Sequence, residues 1–114
     1  MPYLNIQTNL PLTEKAEDAI LRSASALVAA ELEKPESYVM IAVEPDTPMF
    51  FAGSDAPAAF LELKSIGLPT GRTRKLSEAL SKLLHDHLGI PSDRVYVTFH
   101  DLAAENWGWK GDVF

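Results

Sequence analysis

The chain contains no cysteine. That excludes disulfides, thiolate metal sites, iron–sulfur clusters and a catalytic thiol. Positive charge is scarce: 10 Lys plus Arg stand against 16 Asp plus Glu, a net charge of −6. A phosphate backbone repels such a chain, so nucleic acid is not an expected partner. No run approaches the ~20 apolar residues of a membrane span, so no membrane partner is expected either. The segment from Met1 to Leu10 lacks a basic stretch followed by an apolar one and does not read as a secretory signal. The expected compartment is the cytoplasm. Histidine is limited to His85, His87 and His100. The first two share a helix without metal-ligand partners, and nothing pairs His100 with a nucleophile. Gly67 and Gly71 are too few for a phosphate cradle. No metal and no cofactor are expected.

What remains is an ordinary globular composition. The chain has 114 residues, 46% of them apolar and 23% charged. That length suits a single domain over 1–114 that buries roughly two thirds of its unfolded surface.

Residues 3–8 alternate polar and apolar and predict a strand. Leu10-Pro11-Leu12 ends it. Thr13 is a helix cap, with Glu14, Glu17 and Asp18 favourable near the helix's positive end. Ala16, Ile20 and Leu27 then mark an apolar face, and a helix is expected from about Thr13 to Glu33. Lys34-Pro35 stops it. Residues 38–43 predict a second strand, apolar on both faces as a central strand would be. Pro45 to Pro48 is a turn, Met49 to Ala52 reads as a short strand, and Ala58 to Ile66 as a longer one. A helix is expected over about Thr73–Leu88, with Leu76, Leu80, Leu83, Leu84 and His87 on one face and Gly89 as its cap. A last strand covers Val95–Asp101, and an aromatic, glycine-rich tail follows.

These elements repeat. Leu10-Pro11 answers Leu68-Pro69, and Lys34-Pro35-Glu36-Ser37-Tyr38-Val39 answers Ile90-Pro91-Ser92-Asp93-Arg94-Val95. Each half is a βαβ unit with a right-handed crossover. The expected fold is α+β: two pseudo-symmetric units forming a four-stranded sheet with both helices on one face. The other face has no cover within the chain, and a further copy of the same chain is the economical cover.

With the order of motifs established, the sequence resembles the macrophage migration inhibitory factor (MIF) family of the tautomerase superfamily. The stretches that carry the resemblance are Met1-Pro2, Thr8-Asn9-Leu10-Pro11, Lys34-Pro35, Val43-Glu44-Pro45-Asp46, Ser65-Ile66-Gly67, Ser92 to Val97 and Asn106-Trp107-Gly108-Trp109. They span nearly the whole chain. The resemblance implies a homotrimer with active sites at subunit boundaries. It also implies keto–enol tautomerisation of aryl α-keto acids such as phenylpyruvate.

The residues fit that chemistry as follows. With Met1 removed, Pro2 carries a terminal secondary amine, and only its neutral form takes a proton from carbon. Burial penalises the cation. A positive Lys34 at about 6 Å would cost about 2–3 kcal/mol at an effective dielectric near 20, or about two pKa units. The resemblance gives Lys34 a second task, holding the substrate carboxylate, and gives the Ile66 backbone N–H a substrate oxygen. It places Tyr96 and position 98 in the site of a neighbouring subunit. Thr98 departs from the family's usual asparagine: it keeps a hydroxyl and loses the carboxamide. Tyr38, Trp109 and Phe114, with Tyr3 and Trp107, are the expected aromatic wall. A competing expectation from the same resemblance is a cytokine-like ligand acting on a protein receptor, its pocket incidental. Ala58-Ala59-Phe60-Leu61 stands where some relatives carry Cys-x-x-Cys, which removes thiol oxidoreductase chemistry.

Overall fold

The computed structural model describes residues 1–114. Strand β1 covers Tyr3–Thr8, helix α1 Glu14–Leu32, β2 Met40–Glu44, β3 Ala59–Ile66, α2 Thr73–Leu88 and β4 Val95–Leu102. Two short strands, β5 (Gly108–Trp109) and β6 (Asp112–Val113), close the chain as a hairpin. The main sheet has the order β2-β1-β3-β4. β1 pairs in parallel with β2, β3 in parallel with β4, and β1 meets β3 antiparallel. The two βαβ units therefore join back to back, as the repeat requires.

Alternation along the strands divides the sheet into two faces. Leu4, Ile6, Leu61 and Leu63 turn inward and are fully buried. They pack with Ile20, Ala24, Val28 and Leu32 of α1 and with Leu76, Leu80, Leu83 and Leu84 of α2 in one core. His87, expected on the same stripe, is exposed in the last turn of α2.

Caps follow the sequence closely. The Thr13 hydroxyl accepts from Ala16 N–H at 3.1 Å, and Gly89 ends α2 at φ 69°. At the end of α1 the left-handed position is occupied by Glu33, at φ 53°. Lys34 N–H then donates to Ala29 C=O at 3.0 Å, and Glu33 N–H to Ala30 C=O at 3.3 Å. This paired return closes the helix and turns the chain toward β2.

Three expectations change. The second strand begins at Met40, two residues later, because Pro35 sets up a 3-10 turn over Glu36–Tyr38 with Tyr38 N–H donating to Pro35 C=O. That strand lies at the sheet edge, not at its centre. Ile41 and Val43 face the helices, whereas Met40 on the other face is 65% exposed. The segment Met49–Ala52 makes no strand; Phe51 and Ser54 form one isolated bridge.

The face away from the helices is bare in this chain. Its cross-strand rows run Met40–Tyr3–Lys64–His100, then Ala42–Asn5–Glu62–Thr98, then Glu44–Gln7–Phe60–Tyr96.

Candidate active site

Pro2 leads the chain into β1. Its carbonyl accepts from Met40 N–H at 3.0 Å, and its side chain is fully buried. The start of the chain is thereby fixed at the end of the β1–β2 pair, beside the first row of the open face. A cleft of ≈ 780 Å³ opens there. Met1, Pro2 and Tyr3 form one wall, and Lys64, His100 and Leu102 lie on the sheet side. Ser37, Tyr38, Val39 and Met40 come from the turn before β2 and the start of that strand, and Asn106, Trp107, Gly108, Trp109 and Phe114 from the tail.

The tail reaches the cleft because it folds back on itself. A 3-10 turn over Ala104–Asn106 precedes the β5–β6 hairpin. Lys110 and Gly111 form its two-residue loop, both left-handed, at φ 55° and 74°. That is the turn geometry a two-residue hairpin favours, and it explains the glycine. Phe114 N–H donates to Trp107 C=O at 3.2 Å. The Trp109 and Phe114 rings stack at 5.4 Å and 7°, and Tyr38 stands edge-on to both, at 5.6 and 6.5 Å. Lys110 Nζ caps the Trp109 ring at 4.4 Å. Two segments far apart in sequence thus make one aromatic corner.

With Met1 present, the Pro2 nitrogen is an amide and the terminal amine belongs to Met1. That amine has its pKa lowered from the ordinary 8.0, first by burial and then by the positive charge of Lys34. They are the same two causes expected for a free Pro2 amine, here acting on the Met1 amine, with burial the larger.

The structure brings Pro2, Tyr3, Tyr38, Trp107, Trp109 and Phe114 together in the cleft. Lys34 lies outside its lining, though close enough for its charge to be felt at the terminus. Ile66 is also outside the lining. Continuing the β1–β3 register past Tyr3↔Lys64 sets it opposite Met1. Gly67 follows at φ 65°, and Asp101 Oδ1 accepts from Leu68 N–H at 3.0 Å, holding that turn.

Tyr96 and Thr98 are not in the cleft. Tyr96 lies two strands across from Tyr3 and two rows further along the sheet, an offset of about 13 Å along the strands at 3.3 Å per residue. It packs against Phe51, with ring centroids 4.7 Å apart. The Thr98 hydroxyl meets His100 Nε2 at 3.0 Å. Lys64, His100, Leu102, Met40 and Asn106 also line the cleft, and none of them is expected there from the sequence. Alternation puts Lys64 and His100 on the open face, but only the β1–β3–β4 register sets them beside Tyr3.

A β1-led pair of βαβ units whose first residues open into an aromatic cleft is the architecture of the tautomerase superfamily. Within that class the macrophage migration inhibitory factor (MIF) family model matches residues 1–114, and the chain belongs to that family. It is 43% identical over 115 residues to the macrophage migration inhibitory factor homolog of Brugia malayi, covering 100% of this chain and 99% of that one. It is 37% identical over 115 residues to macrophage migration inhibitory factor of Mus musculus, with the same coverage. The crystal structure of the homologue from Prochlorococcus marinus superposes with a TM-score of 0.93 at 40% identity, over 98% of both chains. Family and fold support an isomerase of the tautomerase kind, in a family whose members are typically homo-oligomers. No helix is long and apolar enough to cross a membrane.

Proposed function

We propose that this protein, once Met1 is removed, is a phenylpyruvate-type tautomerase with Pro2 as its general base. The observation that carries the reading is the placement of Pro2: buried, at the wall of an aromatic cleft, one residue after a Met1 amine whose proton affinity burial and Lys34 lower. The neutral Pro2 amine takes a proton from the carbon next to the ketone. The electron pair of that C–H bond forms the enol double bond, and the ketone oxygen becomes an enolate. Return of the proton to that oxygen completes the enol.

Lys34 holds the carboxylate in this mechanism, the Ile66 N–H holds the developing oxyanion, and Tyr38, Trp109, Phe114, Tyr3 and Trp107 enclose the aryl ring. Tyr96 and Thr98 complete the site from a neighbouring copy in a homotrimer. Two features support such an assembly: the face opposite the helices is uncovered, and β2 and β4 are both edge strands.

The test is keto–enol exchange of phenylpyruvate, followed by enol absorbance, with protein whose mass confirms a free Pro2. Exchange well above the buffer rate is expected. Exchange at the buffer rate across the range from about pH 6 to 9 would remove the reading.

A further inference from the structure

The cleft is lined by no aspartate or glutamate, in a chain that has 16. It does contain Lys64, which is half-buried on the open face of β3. Within this chain Lys64 takes part in no ion pair, although Glu62 lies two residues earlier on the same face. Its neighbour in the row, His100, carries no negative charge in either protonation state. A half-buried ammonium without a counter-ion is the arrangement of a group awaiting an anion. Lys64 lines the cleft from β3, whereas Lys34 lies outside the lining, just past the end of α1. The two lysines are therefore separate contacts for a bound molecule.

We propose that Lys64 is a second anion-binding residue of the cleft, and that the site favours dianionic aryl α-keto acids, with a second carboxylate on the ring, over monoanionic ones. The α-keto carboxylate lies toward Lys34, and the ring carboxylate reaches Lys64. This rests on reading the cleft as a substrate site, but not on turnover there.

The probes are phenylpyruvate and 4-carboxyphenylpyruvate, with Kd measured by calorimetry at one low ionic strength, because salt screens a partly exposed pair. The wild-type protein should bind the dianion at least tenfold more tightly, the scale of one charge-assisted hydrogen bond. Lys64→Gln should bring the ratio of the two Kd values close to one, and Lys64→Arg should keep most of the preference. A wild-type ratio near one, or a preference that survives Lys64→Gln, overturns the proposal. So does the absence of saturable binding by either acid. Because Kd is read without turnover, an inactive protein that discriminates through Lys64 would refute the tautomerase reading alone. An active protein indifferent to Lys64 would refute this inference alone.

Discussion

Lys34 acts on the terminus through its charge, and that makes its removal informative at the residue scale. A lowered amine pKa means that the neutral, basic form is reached at lower pH. Below that pKa the ammonium dominates and exchange should be slow; above it the rate should level off. Lys34→Ala removes one of the two causes of the lowering. The rising limb of kcat/KM against pH should move upward. It should not return fully to an unperturbed position, because Pro2 remains buried. The plateau should fall by roughly ten- to hundredfold if Lys34 also holds the carboxylate, since a hydrogen bond to a charged group contributes about 1.5–3 kcal/mol. A pH–rate profile of both proteins reads the two effects separately. An unmoved limb would mean that Lys34 does not tune the base. The aromatic part of this site was legible in the sequence as a set of residue types. The sheet side, Lys64 and His100, was not, because a side chain's neighbours across a sheet depend on register.

At the scale of elements, local rules carried most of the fold. Thr13 caps α1 and Gly89 ends α2 where spacing and residue type placed them. The exceptions are places where tertiary structure outweighs pattern. Residues 38–43 read as a central strand because they are apolar on both faces, yet the strand they lead into lies at the sheet edge. Glu33 holds a left-handed conformation that glycine adopts without strain. Its carboxylate is exposed and 3.9 Å from Arg72, a pair of little energetic weight. Glu33→Gly should therefore stabilise the protein by up to about 1 kcal/mol, read as a higher Tm at fixed protein concentration.

Arg94 is the opposite case. Its guanidinium donates to the carbonyls of Phe51, Ser54, Ala56 and Pro57 and lies 5.1 Å from the Phe51 ring centroid. It ties down a loop that has little regular structure of its own. Arg94→Met should cost about 2 kcal/mol in denaturant unfolding and speed amide exchange through residues 51–57. Nothing in the sequence marked Arg94 for this task, since all of these acceptors are backbone carbonyls far away along the chain.

At the scale of the whole molecule, the internal repeat alone implies a four-stranded sheet with one bare face, because two βαβ units carry both of their helices on the same side. The homotrimer proposed above would cover that face. Sedimentation at micromolar concentration should give the mass of about three 12.5 kDa chains, and a stable single chain would remove Tyr96 and Thr98 from the proposed site. The central claim, that the Pro2 amine is the base, is tested most directly by comparing two forms of one protein, each verified by intact mass. One begins at Pro2, and the other retains Met1, so that its Pro2 nitrogen is an amide. At a pH on the plateau, the free-proline form should exchange phenylpyruvate at least a hundredfold faster, the scale of general-base catalysis. Equal rates for the two forms would contradict the assignment.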